Sequence, residues 1–193
     1  MNAELFTDIS QIKGLIKRAD DKGITRNLIN KFVELQKIRI PFYLTLDDFD
    51  EILHWKLRKQ YRRQLKFRER NTDQNVQIIT KAAFEIKHHN SDIETELKIK
   101  VLTALSGVEI PVASAILALC NPNLYSVIDV RNWRQIYSGV TQKTSYSIKE
   151  YNDYLKIIRE LADKFSLTPQ EIDVAIWQFD REINSTPSVK KSF

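Results

Sequence analysis

The chain has 193 residues, 42% of them apolar and only nine of them glycine or proline. That is enough for one globular domain and too few chain-reversing residues for a turn-rich β architecture. The formal charge is +5, and a single cysteine excludes an internal disulfide. Cys120 with His54, His88 and His89 offers no zinc or iron–sulfur spacing, so no metal site is expected and any chemistry must run on carboxylates, bases and water. No apolar run approaches bilayer length, and MNAELFTDIS lacks the basic-then-apolar layout of a signal peptide. A cytoplasmic protein with no membrane contact is the expectation.

Helix-start signals recur along the chain. Asp8 or Ser10 can open the first helix and Thr25 the second, Thr45 with Asp48 opens a third, and Thr72 opens one running to about Lys87. The third leads into a basic stretch. From His54 to Arg70, the cations Lys56, Arg58, Lys59, Arg62, Arg63, Lys66, Arg68 and Arg70 stand against one acid, Glu69, so this segment carries +7 and the remainder −2. Leu53, Leu57, Tyr61 and Leu65, at spacing four, predict a helix with a buried stripe and cations over its exposed face. Such a surface binds phosphates by releasing counterions. The duller reading is a solvated helix whose acidic first turn (Asp47, Asp48, Asp50, Glu51) and basic later turns complement its dipole.

Ser91 with Glu94, Ser147 with Glu150, and Thr168 with Pro169 and Glu171 carry the capping-box pattern. Apolar residues at helical spacing follow each: Leu97, Val101, Leu102 and Leu105; Tyr151, Tyr154, Leu155, Ile158 and Leu161; Ile172, Ala175, Ile176 and Phe179. With no convincing strand alternation and no internal repeat, these starts predict an all-α domain. His88 and His89 read as an exposed helix end, Cys120 as a small buried hydrophobe, and 184–193 as a frayed tail.

The stretch LTALSGVEIPVASAILALCNPNLYSVIDVRNWR, from Leu102 to Arg134, suggests a chemistry as well as a fold. It reads as a helix, a hairpin turned at Gly107, a second helix to about Cys120, and a loop that delivers Asp129 to the head of a third helix. Val108 points back to the core, Pro111 fits the second helix's first turn, Ala113 permits close packing, and Asn121 with Pro122 ends that helix. Backbone N–H groups at such a hairpin are donors for a phosphate.

The spacing from Leu102 through Gly107, Val108 and Ala113 to Ile116, then Ile128 and Asp129 before Trp133 and Arg134, resembles the helix-hairpin-helix DNA glycosylase superfamily. This superfamily includes the endonuclease III, adenine-mismatch, 8-oxoguanine and alkylbase glycosylases. The specific match covers about thirty residues, with looser similarity in helix order from near Thr45 to Glu182. The chain looks like a bacterial branch in which a Trp-Lys pair, here Trp55 and Lys56, precedes the hairpin. The resemblance implies two helical subdomains with a cleft between them. Residues 1–44 would form N-terminal helices, those to about Phe42 joining the C-terminal helices 141–183 in one lobe, and 45–140 would carry the hairpin at 102–120; residues 1–183 would make a single glycosylase-like domain.

By that resemblance Asp129 is the catalytic carboxylate, which stabilises an oxocarbenium-like sugar and orients water. Gly107, Val108, Arg131, Lys59, Arg62 and Arg63 are the candidates for contact with nucleic acid. Trp55, Tyr61 and Trp133 are candidates for stacking an extruded base. The implied partner is DNA, bound by a monomer, with no organic cofactor and a monovalent cation held by hairpin carbonyls. Three departures matter. Glu109 replaces a second hairpin glycine, Pro111 stands where bifunctional members carry the sugar-attacking lysine, and the four cluster cysteines are missing. Monofunctional base release in the manner of DNA repair is therefore expected, with a non-catalytic nucleic-acid binder or a nucleoside or nucleotide N-glycosidase as alternatives. Asp129 also reads as an ordinary N-cap, Trp133, Trp177 and Tyr61 as core, and Arg131 as the partner of a nearby carboxylate.

Overall fold

A computed structural model describes residues 5–20, 22–137 and 143–184, and shows helices only among them. In chain order these are α1 (Ile9–Ala19), α2 (Ile24–Ile38), α3 (Leu46–Leu57), a 3-10 segment (Arg58–Gln64), α4 (Leu65–Arg68) and α5 (Asp73–Glu85). There follow α6 (Ser91–Leu102), α7 (Ile110–Cys120), α8 (Val130–Ile136), α9 (Ile148–Phe165) and α10 (Pro169–Asn184). None is long and apolar enough to cross a membrane. The boundary expected at 140 and the tail from 185 lie outside the described residues.

Local chemistry accounts for most of the starts. Asp8, Thr45, Thr72 and Ser147 cap their helices with side-chain oxygens, and full capping boxes form at Thr45 with Asp48 and Ser147 with Glu150. Thr168 and Glu171 exchange the same pair of bonds at the head of α10. Each cap contributes about 1 kcal/mol. Two expected caps shift. The second helix starts after Gly23, in the left-handed region, because the Asp20 carboxylate accepts from the Thr25 and Arg26 amides and takes over the role expected of Thr25. The sixth is capped by Asn90, which displaces Ser91; Glu94 instead accepts from the His88 amide and pairs with Lys98. The fifth helix stops at Glu85, short of Lys87.

The long basic helix expected beyond Leu57 does not form. Arg58 takes φ +48°, a conformation most side chains avoid, so the chain turns and continues as the 3-10 segment. Leu53 is buried, but Leu57, Tyr61 and Leu65 are only half-buried, and Leu97 on α6 stays exposed. The tail's first residue, Asn184, is instead the last residue of α10.

The centre of the fold is α7, buried at every residue from Val112 to Cys120. Helices α2 and α3 pack on it, with α6 and then α5 beyond; α10 gathers α1, α8 and α9. The N-terminal helices thus divide: α1 packs on α10, but α2 lies on α7, because Phe32 is fully buried and Gln36 donates to the Cys120 carbonyl.

Candidate functional site

The segment Tyr125–Ile128 is buried without being helical, so its backbone needs partners from other elements. Tyr151 and Tyr154 of α9 donate to the Ser126 and Val127 carbonyls, at 2.9 and 3.1 Å. The Ile128 amide donates to Ser114 Oγ of α7 at 3.1 Å, and Lys56 Nζ reaches the Ile128 carbonyl at 3.4 Å. Those bonds tie α3, α7 and α9 to the three residues just ahead of Asp129.

Asp129 divides its two oxygens between two tasks. Oδ1 caps α8, accepting from the Arg131 and Asn132 amides at 2.9 and 3.1 Å, so the capping reading holds. Oδ2 faces Lys56 Nζ at 3.8 Å, and a quarter of the side chain remains accessible (25%). The carboxylate is held but not sealed, and it opens onto two cavities.

The smaller cavity, about 60 Å³, is walled by Trp55, Lys56, Arg58, Val127, Asp129, Asp173 and Trp177, with Ala19, Thr25 and Val174 completing it. Trp55 is anchored by an Nε1–H bond to Thr25 Oγ1 at 3.1 Å. The Arg58 guanidinium lies 4.5 Å from the Trp177 ring centroid, within cation–π range. Crowding by the protein lowers the Arg58 pKa, helped by Arg181 and Arg131 and opposed by Asp129. Asp173 is 4% exposed. Burial and then the Asp129 charge push it well above the usual carboxylate range, while Lys56, the Val127 amide and Tyr154 pull the other way.

The larger cavity is a groove of about 790 Å³ along the hairpin, from Thr103 through Gly107 and Glu109 to Val112, with Lys56, Gln60, Phe67, Arg70, Lys143 and Tyr146 on its other sides. Gly107 turns the hairpin at φ +80°. Asn71 clamps it, donating to the Ser106 carbonyl at 2.9 Å and accepting from the Ser106 amide at 2.8 Å. The Leu102 and Leu105 carbonyls accept from the Leu105 and Val108 amides. Each of these three carbonyls accepts one hydrogen bond and keeps a second lone pair, so they would be the oxygens to hold the monovalent cation that the resemblance implies. No cluster of His, Cys, Asp or Glu suited to a metal occurs among the described residues.

Of the sequence candidates, Asp129, Gly107, Val108 and Trp55 line these cavities. Lys59, Arg62 and Arg63 are exposed but line neither, because the turn at Arg58 redirects them; Lys56, Arg70 and Lys143 are the groove's cations. Arg131 Nη1 bonds Asp180 at 2.9 Å, and the residue lines neither cavity. Trp133, 6% exposed, packs against Tyr137 and Tyr146 with centroids 4.1 and 5.3 Å away, so it belongs to the core and offers no stacking platform. Tyr61 donates to Asp50 at 2.7 Å, its ring lying against His54 and Arg68, and it likewise offers no free face. Sequence reasoning missed Asp173 and Lys143, placed Arg58 only among the cations of the basic stretch, and read Trp177 as core. The signal for Asp173 was a lone acid among the apolar positions of α10, between Ile172 and Ala175. Compared with models of known families, with characterised proteins and with solved structures, the chain matches none.

Proposed function

We propose that this protein is a monofunctional N-glycosylase that hydrolyses the bond between a modified base and deoxyribose in DNA, with Asp129 as its catalytic carboxylate. The observation carrying this reading is the place of Asp129 Oδ2, spared from capping and lying where the hairpin groove meets the two-tryptophan cavity. The strand follows the groove, its phosphates near Lys56, Arg70, Lys143 and the hairpin amides. The damaged base turns out of the stack into the cavity, which brings C1′ of its sugar against Asp129. The helices grouped around α10 and those grouped around α7 then correspond to the two subdomains of a glycosylase-like fold.

As the C1′–N bond breaks, its electron pair leaves with the base and positive charge grows on the sugar. The negative oxygen of Asp129 stabilises that charge; water adds at C1′, and its lost proton ends on the departing base. Lys56 orients Oδ2 from the side away from the capping bonds. With Pro111 at the hairpin position, the strand stays intact until alkali is added.

A panel of duplexes, each carrying one damaged or mismatched base, tests the reading by counting released base. Asp129→Asn is expected to lose about a thousand-fold in rate while binding duplex with the wild-type salt dependence. Equal release by the mutant ends the proposal. Salt-sensitive binding with no release from any duplex leaves a non-catalytic nucleic-acid binder. Glu109, exposed on the groove wall, favours a second reading: its charge repels phosphate and suits a free nucleoside. Release from modified nucleosides but not from duplex would select it.

A further inference from the structure

Asp173 has no part in the hydrolysis above, yet it lines the cavity in which the extruded base would lie. Which of its oxygens is free to act follows from Asn132. The Asn132 Nδ2 sits among three oxygens, the Asp173 carbonyl at 3.2 Å, Tyr154 Oη at 3.3 Å and Asp173 Oδ1, so it is the donor end of that amide. Tyr154 Oη also approaches Oδ1, at 3.4 Å. Oδ1 is thereby an acceptor already in use, and a proton on this carboxyl belongs on Oδ2. The charged and titratable groups around it are Asp129 at the head of α8, Lys56 on α3, Arg58 on the 3-10 segment and Tyr154 on α9. Burial together with the Asp129 charge favours the neutral acid, despite Lys56. The cavity's 60 Å³ holds roughly four water molecules, a volume that one flat ring system would displace.

We propose that Asp173 is the specificity-determining residue of this cavity, presenting an O–H donor to a ring nitrogen of the base that carries no proton of its own. A base with N–H at that position would bury two donors facing each other and be rejected. The ligand's identity as a base rests on the glycosylase reading, but the donor itself does not depend on Asp129 chemistry.

Free adenine carries several unprotonated ring nitrogens, and its deaza analogues replace them with C–H one at a time. Binding to the full chain is followed by tryptophan fluorescence, since Trp55 and Trp177 wall the cavity. One analogue is expected to bind at least about ten-fold more weakly than adenine. Asp173→Ala should erase that difference and Asp173→Asn should keep it, because the amide N–H replaces the O–H. Raising the pH should shrink it in wild type but not in Asp173→Asn. Three results would each overturn the proposal: equal binding of all analogues, a difference surviving in Asp173→Ala, or no binding of adenine. Circular dichroism of each variant guards against misfolding. If no duplex or nucleoside releases base but the adenine pattern holds, the glycosylase reading fails alone. Base release with no difference among the analogues keeps that reading and removes the donor role of Asp173.

Discussion

Asp173 and Asp180 lie two turns apart on the same helix, at 4% and 0% exposure, and their chemistry diverges. Asp180 accepts from Arg131, from both ends of the Arg134 guanidinium, from Gln135 and from Asn184. Burial works to raise its pKa, but the bonds from Arg134, Gln135 and Arg131 prevail and hold it below the ordinary value. Asp173 receives one amide N–H, has a tyrosine hydroxyl at 3.4 Å whose proton goes to the Val127 carbonyl, and sits beside a second carboxylate, so the balance tips upward. Depth alone therefore does not set the state of a buried acid. Saturation with cationic donors makes Asp180 a fastener of α8 to α10, and the shortfall at Asp173 leaves its carboxyl disposed to hold a proton.

The largest test of this contrast is Asp180→Ala, which strands two guanidinium groups that are about one-third exposed. A loss of about 3 kcal/mol is expected, at the low end for broken buried pairs because the arginines can reach water. It is measured from the urea midpoint at neutral pH. Asp173→Asn should move the other way, gaining about 1 kcal/mol, since it removes a charge the site resists. A loss at Asp173 equal to that at Asp180 would break the distinction.

The pH dependence sharpens it, because the two shifts have opposite sign. The folded Asp180 pKa is depressed, so its contribution is present above the unfolded carboxylate value and disappears as pH falls through the folded one. The folded Asp173 pKa is raised, so its contribution is complete below the unfolded value and is lost as pH climbs to the folded one. Urea midpoints of wild type and Asp173→Asn should thus converge toward acid pH and separate toward alkaline pH. Parallel curves would mean that Asp173 ionises normally.

What the sequence disclosed follows the same division between local and distant causes. The caps at Asp8, Thr45, Thr72, Ser147 and Thr168, the turn at Gly107 and the helix start at Asp129 each depend on residues within a few positions, and each is legible. Thr25 and Ser91 mislead because Asp20 and Asn90, earlier in the chain, already hold the first amides of their helices. The roles of Asp173 and Trp177 are invisible for another reason. They depend on α10 lying against α8, where Asn132 meets a residue 41 positions away, and on Arg58 leaving the helical region to cover Trp177. Trp133 and Tyr61 fail as stacking candidates because packing around their rings, rather than residue type, decides which aromatic faces a cavity.

The smallest expected effect comes from Gln135→Ala, which deletes one neutral donor to Asp180 Oδ1 at 2.7 Å. Arg131, Arg134 and Asn184 remain, so the carboxylate keeps both of its cationic partners. A neutral hydrogen bond of this kind contributes about 1 kcal/mol or less, and the urea midpoint should fall far less than in Asp180→Ala. A loss matching Asp180→Ala would show that Asp180 fastens α8 only while every acceptor site is filled, whatever the donor's charge. The contrast with Asp173 would then be one of donor number, and supplying one more neutral donor beside Asp173 should suffice to lower its pKa. A small loss instead assigns the difference to the two guanidinium groups, which no neutral neighbour of Asp173 can replace.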